Sequence, residues 1–475
     1  MPRRTPVVVW LAGTALSLAG TQAMGFALVW AAAAHSAPLA ALTLTAIIVP
    51  RVLFVFPGGA LADRLGVWRV LIGADLAAAL AMLLFALLLG VFPASLWLVP
   101  LAALAGGLAD AVYLPASATV PRLLTGDEPG GAGLSRTMAA RQIAGQSAAL
   151  AGPALGGLLV TTASLAPVVA ANAATFAAMA FVLLRLRPHL SAPVAAGLPV
   201  AAGLPVAAGL PVAAGLPVAA GLPVAAGVPA GLVTARAVHT EGRAAVPPAS
   251  RTAAGASKPV ARRRWRAGLR EMAGGLRVVT GDMAGGLRVV TGDQVLRAAL
   301  GLTAVAAGFL LPVSSLLLPL LARERDWPGS HTGLLAAALA AGTGGVALIV
   351  LVRGSLRRPG VVAMAGLLTA ALGIVMLVAG EALLPAGVGA LVIGVGSGVF
   401  ATHVGPLFLS RAPRTHLART QSVLVLAQSL PLLATQNLFG AAATPVGVPP
   451  LLVICALALV LAAGAGWWSR ALRAA

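Results

Sequence analysis

The 475-residue sequence is poor in charged residues and has almost no cysteine. Charged residues make up 9% of the chain, compared with about 25% in an average soluble domain, and 59% of the residues are hydrophobic. This composition excludes both an ordinary soluble protein and a disordered one. The one cysteine, Cys455, excludes a disulfide framework and a cysteine-rich metal site. Lys258 is the only lysine, so nearly all of the net charge of +20 comes from arginine.

Long apolar blocks predict helices that cross a membrane. They lack the alternation of apolar and polar residues that is typical of membrane barrel strands. Each block has about 21–27 residues, enough to cross a hydrocarbon core of about 30 Å with some tilt. The predicted spans are 7–33, 39–61, 68–90, 96–120, 137–160, 166–186, 297–321, 331–353, 360–380, 384–409, 417–440 and 447–469.

Arginine lies mainly in alternate connections between these spans. The pattern is broken after the seventh span, where Arg323 and Arg325 alternate with Glu324 and Asp326. Because cytoplasmic connections are enriched in basic residues, both termini and the central loop are predicted to be cytoplasmic, in a cell (inner or plasma) membrane. The net charge of +20 therefore indicates topology and attraction to membrane lipids, not nucleic-acid binding.

The distribution of spans predicts an all-α integral membrane protein with twelve helices in two pseudo-symmetric six-helix bundles. The predicted bundles are 1–187 and 297–475, joined by a cytoplasmic linker at 188–296. Within the linker, the hexamer Pro-Val-Ala-Ala-Gly-Leu recurs over 193–227, and an eleven-residue segment is repeated within 272–293. Proline at every sixth position is incompatible with a continuous helix, so we interpret the linker as a low-complexity tether. A regulatory binding segment is the alternative.

The connection after the second span contains Gly59, Asp63, Arg64, Gly66 and Arg69 in the pattern Gly-x-x-x-Asp-Arg-x-Gly-x-x-Arg. Glycine permits close helix packing and a tight turn, and an aspartate at the membrane edge can cap a helix or pair with arginine. This pattern resembles the signature loop of the major facilitator superfamily. The resemblance implies transport by alternating access, with the loop acting as a gating latch between the halves.

The sequence departs from the signature pattern at two places. Val67 and Trp68 stand where two basic residues are common, which weakens the predicted charge relay. The equivalent connection in the second half, Gly354-Ser-Leu-Arg357-Arg358, lacks the aspartate, so a second latch is not expected there.

The fifth span contains Gly152, Pro153, Gly156 and Gly157. Proline removes one backbone hydrogen bond, and the glycines let a neighbouring helix approach closely. The segment resembles the Gly-Pro-x-x-Gly-Gly motif of drug/proton antiporters, which implies export and multidrug resistance. Further stretches resemble the subgroup of the enterobactin exporter and macrolide-efflux-like proteins. They are Ser17–Gly20, Tyr113–Ala116, Pro121 and Asn172–Phe176.

Among the twelve acidic residues, only Asp75 and Asp110 fall clearly inside predicted spans. Arg51 in span two and Asp110 in span four lie at similar depth, so we expect them to form an ion pair. Because an unpaired buried charge is very unfavourable, a proton or the substrate could compete with Arg51 for Asp110 during transport. The alternative is a static structural ion pair.

The remaining polar residues inside the spans have two interpretations each. Asp75 and Arg141 are interpreted as a pair with a structural or gating role, and the alternative is contact with the substrate. His403 could titrate near neutral pH or join two helices by hydrogen bonds. Several amides could line a central cavity or join helices. They are Gln22, Gln142, Gln146, Gln428 and Asn437.

The sequence predicts a transporter and not an enzyme. No nucleotide-binding loop, metal site or cofactor motif is found. We expect a monomeric, proton-coupled exporter of a small amphipathic or hydrophobic compound. The alternatives are an importer of a small metabolite on the same fold, and a non-transporting sensor or scaffold that acts through its long loop.

Overall fold

The computed structural model describes residues 4–92, 95–125, 132–190, 287–288, 290–354, 356, 358–411 and 417–474. Side chains are described at these positions except 4–5, 54–64, 122, 132–135, 187–190, 409–411, 417–422 and 474. Most of the predicted linker, with the repeat at 193–227 and most of the duplicated segment, lies outside the described residues.

Helices account for nearly all of the described residues, and no strand occurs among them. Eleven helices in this part of the chain are long and apolar enough to cross a membrane, and Ala37–Leu53 is a shorter apolar one. The predicted all-α membrane fold with twelve spans is confirmed. The spans of the first half are α1 (Arg4–Ala33), α2 (Ala37–Leu65), α3 (Val67–Val91), α4 (Leu98–Ser117), α6 (Ala132–Ala163) and α7 (Leu165–Leu190).

The second half consists of spans seven to twelve. Span seven combines α8 (Gln294–Phe309), a π-helical segment (Val313–Leu317) and α9 (Leu318–Glu324). The others are α10 (Gly329–Arg353), α11 (Pro359–Ala379), α12 (Leu383–Arg411), α13 (Leu417–Val446) and α14 (Val448–Trp468). Two short helices, α5 (Val120–Thr125) and α15 (Arg470–Ala474), were not predicted as separate elements.

Span seven is interrupted, although the sequence predicts one continuous helix there. Pro312 directly precedes the π-helical segment. A proline inside a helix lacks its N–H and clashes with the carbonyl four residues earlier, and the chain accommodates this with a wider helical turn. The break divides span seven into two helices of different length.

The start of span seven is set by Asp293, the last residue of the duplicated segment. Its carboxylate accepts hydrogen bonds from Val295 N at 2.7 Å and Leu296 N at 3.0 Å. Aspartate at an N-cap satisfies backbone donors that have no partner within the helix. The second bundle therefore begins at Gln294, three residues before the predicted boundary.

The two halves repeat the same helix pairings. In the first half, α2 packs on α4, α1 on α6, α3 on α7, α1 on α7 and α3 on α4. In the second half, the corresponding pairs are α10 with α12, α8 with α13, α11 with α14, α8 with α14 and α11 with α12. The main contacts between the halves, α6 with α10 and α2 with α13, also correspond under this symmetry.

We call the end of the bundle that holds residues 33–37, 163–165, 324–329, 379–383 and 446–448 the distal end, and the opposite end the proximal end. Phe26, Trp30, Val160, Ala322 and Trp327 form an apolar cluster from both halves at the distal end. Trp10, Val70, Ala116 and Leu183 belong to a cluster at the proximal end that contains only residues of the first half. The distal cluster therefore joins the two halves, whereas the proximal cluster belongs to the first half alone.

The charged segment that broke the arginine pattern fixes helix ends at the distal end. Arg325 donates from Nη1 to Gly380 O at 2.6 Å and from Nη2 to Val378 O at 2.6 Å, at the C-terminus of α11. Glu324 Oε1 accepts from Val448 N at 2.9 Å, at the start of α14. Cations stabilise helix C-termini and anions stabilise N-termini, so these charges have local structural partners.

We expect Arg325→Ala to lower the free energy of unfolding by about 1.5–3 kcal/mol, because charge-assisted hydrogen bonds to α11 are lost. The only cysteine, Cys455, is buried, so its reaction with a thiol dye during heating reports unfolding of the purified protein. Arg353→Ala is the matched control, since Arg353 is an exposed arginine at the opposite end of α10. Equal melting of the two variants would contradict the capping role.

Candidate functional site

An ion pair lies between α2 and α4 inside the first half. Gly107 lets the two helices approach closely, because a β-carbon at this position would lie 2.6 Å from Ile47 O. One turn further along each helix, Arg51 Nη2 donates to Asp110 Oδ2. The pair expected from the equal depth of the two residues is therefore present, and the Gly107 contact explains how the backbones come close enough.

The guanidinium of this pair is buried, and the pocket beside the pair is lined mainly by apolar residues. Arg51 is 7% exposed, and its Nε and Nη1 atoms have no hydrogen-bond partner. Asp110 reaches a small pocket lined by Met24, Gly106 and Phe176 from three helices. A charge pair in such a place depends on its partner, since removal of either group leaves an uncompensated charge in a poorly solvated environment.

Asp75 and Arg141 occupy different environments, and no ion pair joins them among the described side chains. Arg141 Nη2 donates to Ser117 Oγ at 3.1 Å, and the guanidinium lies 5.9 Å from the centre of the Trp10 ring. Its Nε and Nη1 atoms have no hydrogen-bond partner. Asp75 is 2% exposed, and its Oδ2 atom is likewise without one. The direct pairing of Asp75 with Arg141 is therefore absent from this conformation.

Tyr113 lies close to both charged sites. It comes three residues after Asp110 on α4, within electrostatic range of Asp75, Asp110 and Arg141. Sequence reasoning did not assign it a role, although Tyr113 is the only tyrosine and positions three residues apart share a helix face. Asp75 and Asp110 also interact electrostatically. These residues form one polar group inside the first half.

The predicted exporter motif packs against both halves. A β-carbon at Gly152 would collide with Gln22 Cβ on α1, and one at Gly156 would collide with Ala23 O. A β-carbon at Gly157 would collide with Gly329 O on α10, and one at Gly333 would collide with Pro153 O. The glycines therefore permit α6 to touch α1 on one side and α10 of the opposite half on the other.

Two further contacts join the halves at or near the distal end. Arg323 stacks over the Trp30 ring at 3.6 Å and donates from Nη2 to Trp30 O at 3.0 Å. Both residues also line a cavity of about 520 Å³ between the halves at this end. On the symmetry-related side, Asn437 Nδ2 donates to Thr45 Oγ1 at 2.8 Å. Gln436, which sequence analysis did not single out, is 0% exposed and donates to the same hydroxyl at 3.4 Å.

His403 is hydrogen-bonded to two elements of the structure, which is one of the two interpretations of this residue. It is 1% exposed, its Nδ1 lies 2.9 Å from Val399 O, and its Nε2 accepts from Leu356 N at 3.2 Å. Because a backbone N–H can only donate, Nε2 carries no proton here. His403 thus attaches α12 to the connection between α10 and α11, the segment that lacks an aspartate.

The signature loop is only partly described. Gly66 forms the whole connection between α2 and α3 with a φ of +85°, a conformation that favours glycine. Arg69 is exposed in the first turn of α3. The side chains of Asp63 and Arg64, and the surroundings of Gly59, lie outside the described residues, so their latch role stays a prediction. The amides Gln22, Gln142, Gln146 and Gln428 are half-buried, whereas Asn437 is exposed.

The sequence profile of the Major Facilitator Superfamily matches residues 10–436. Among curated proteins, none matches the chain. One similar solved structure is a POT family transporter in complex with a thioalcohol conjugated peptide. It has a TM-score of 0.62 at 12% identity, and the match covers 97% of this chain and 94% of that chain. Another is a POT family transporter in complex with 5-aminolevulinic acid, with a TM-score of 0.61 at 11% identity and the same coverage. At such identities the likeness shows the fold alone.

Proposed function

Because the chain belongs to the Major Facilitator Superfamily, we propose that it is a proton-coupled exporter of a small amphipathic or hydrophobic compound. The observation that carries this proposal is the buried Arg51–Asp110 pair beside an apolar pocket. A carboxylate held by one arginine can exchange that partner for a proton or a cationic group. Such an exchange supplies the differential binding that alternating access requires.

Export is favoured over import by the resemblance of Gly152, Pro153, Gly156 and Gly157 to the motif of drug/proton antiporters. Gly157 of this motif makes the close contact with α10 that seals the distal end. By the arginine distribution, the distal end faces outside and both termini face the cytoplasm. A tight glycine seal on the outer side limits proton leak through the closed end. We expect a monomer in the cell membrane, without a cofactor.

A growth assay followed by vesicle transport tests the function. Cells that lack their own exporters are compared on a panel of amphipathic toxins, with wild-type protein and with Asp110→Asn. A toxin against which only the wild type protects is then used in inside-out vesicles, where export appears as proton-driven accumulation. Protection without proton dependence would contradict the coupling.

Import of a small metabolite is the second candidate. It is supported by structural neighbours of the same fold that hold a conjugated peptide and 5-aminolevulinic acid. The direction of counterflow in inside-out vesicles distinguishes import from export.

A sensor or scaffold that acts through residues 193–256 is the third candidate function. Transport that survives deletion of this segment identifies it as a tether.

Alternating access predicts that the distal contact must break during each cycle. Ser330 N donates to Thr161 Oγ1 at 3.1 Å across the two halves. In a Cys455→Ala background, we expect Thr161→Cys with Ser330→Cys to form a disulfide that lowers transport at least tenfold, and a reductant to restore it. The matched control, Thr162→Cys with Ser330→Cys, should cross-link poorly because Thr162 bonds only within its own helix. Full transport in the cross-linked protein would contradict the proposed cycle.

A further inference from the structure

The carboxyl group of Asp75 is buried, and among the described side chains no cation pairs with it. The described faces of α3 around it carry Val70, Leu71, Ala78 and Met82, and the Asp75 Oδ2 atom has no hydrogen-bond partner. No described ion pair includes Asp75. An ionised carboxylate in such a place loses its hydration without compensation, whereas the neutral acid loses far less. The surroundings therefore fit a protonated Asp75.

Asp110 in the same half is in the opposite situation, because Arg51 compensates its charge. Two carboxyl groups whose environments favour different protonation states indicate a division of roles. Asp110 is the group held by a cation, and Asp75 is the group that fits a bound proton. The sequence alone favoured Asp110 as the proton carrier, because burial and partners could not be compared.

Arg141 is placed to compensate Asp75 in another conformation. It shares the proximal cluster through Trp10, which packs with Val70 and Leu71 of α3. Two of its nitrogen atoms, Nε and Nη1, are buried without a partner. A guanidinium with unused donors can donate hydrogen bonds to a carboxylate that a conformational change brings within reach.

The other charged side chains that the structure describes on the elements packed around α3 do not replace this partner. The packing helices are α4, α7 and α2. Arg51 of α2 is engaged by Asp110. Arg185 of α7 is exposed and lies 4.8 Å from the Phe181 ring on its own helix. Arg69 on α3 is exposed. Asp110 and Tyr113 of α4 interact with Asp75 but carry no positive charge.

We propose that Asp75 is a second proton site of the transporter, protonated while the distal end is sealed, and that its deprotonation is coupled to pairing with Arg141. In this step the O–H bond of Asp75 breaks, the proton passes to water at the proximal end, and the carboxylate accepts hydrogen bonds from Arg141. The ion pair expected from the sequence then belongs to the opposite conformation. This inference rests on the proposed proton coupling.

Infrared spectroscopy of the full chain in lipid nanodiscs tests the protonation of Asp75 without a substrate. We expect the carbonyl band of a protonated, buried carboxyl at neutral pH in wild-type protein and in Asp110→Asn. The band should be lost in Asp75→Asn, which mimics the neutral acid in shape and should fold normally. Glu381→Gln, an exposed carboxyl at the distal end, is the control that should leave the band unchanged. A band that survives in Asp75→Asn would overturn the assignment.

A second variant tests the role of Arg141. If Arg141 compensates the carboxylate, Arg141→Gln should move the loss of the band to higher pH by about 1–3 pH units, as expected when an opposite charge nearby is removed. An unchanged midpoint would overturn the pairing. These spectra are independent of transport. Loss of the band in Asp75→Asn together with transport that ignores the proton gradient would therefore refute the proposed function and leave the proton site intact.

Discussion

Transport by Asp110→Asn is expected to lose its dependence on the proton gradient and to fall at least tenfold. Asparagine has nearly the shape of aspartate, but it neither carries a charge nor exchanges a proton. Arg51, which is buried with two nitrogen atoms that lack partners, would then keep an uncompensated charge. Loss of one partner of a buried pair costs about 3–5 kcal/mol, so we also expect a clear fall in the melting temperature.

A double-mutant cycle separates the coupling role from a static structural role. Arg51→Met with Asp110→Leu replaces the pair by apolar side chains, which is often neutral for stability. We expect the double variant to be more stable than either single variant and still unable to couple transport to protons. Glu381→Gln is the matched carboxyl control, because Glu381 is exposed and far from the pair along the chain. A stable double variant with proton-driven transport would reduce the pair to a replaceable structural element.

The spans and the Arg51–Asp110 pair could be predicted because both depend on properties that follow from the order of residues alone. Apolar length determines the spans, and the depth of Arg51 and Asp110 follows from counting residues in helices that run in the same direction. The structure added Gly107 as the position at which α2 and α4 touch. That contact could not be predicted, because most of the described glycines lie in helices and only some of them face another backbone.

The environment of Asp75 was beyond sequence reasoning for a related physical reason. Its depth and the depth of Arg141 suggested a pair, but the rotation of α3 and α6 about their axes decides which residues face each other. The structure turns Arg141 towards Ser117 and Trp10 instead. Likewise, the charges of Glu324 and Arg325 looked like an exception to the arginine pattern. Their partners are backbone groups at the ends of α14 and α11, which leave no signal in the sequence.

The seal between the halves provides the second large expected effect. We expect Gly157→Val and Gly333→Val each to shift the protein away from the state with a closed distal end. Their β-carbons would overlap Gly329 O and Pro153 O, which are backbone atoms that cannot turn aside. Overpacking of this kind costs about 1–3 kcal/mol, which corresponds to a fall of about 5- to 150-fold in the closed population relative to the open one.

Controls lie on the same two helices. A β-carbon at Gly145 on α6 or at Gly344 on α10 would meet no atom within 4 Å, so Gly145→Val and Gly344→Val carry the same helix-propensity cost without the clash.

Spin labels at Ala34→Cys and Ala382→Cys, both exposed near the distal end, measure the opening of that end in a Cys455→Ala background. We expect a population with a longer distance between the two labels in Gly157→Val and Gly333→Val, and not in the two controls. Each half is packed internally by its own helix pairs, so separation at this seal should leave both halves folded. Distal opening with an unchanged melting temperature would therefore indicate a gate, whereas a lowered melting temperature would indicate a general packing defect. Identical distances in all four variants would show that the α6–α10 contact does not hold the distal end closed.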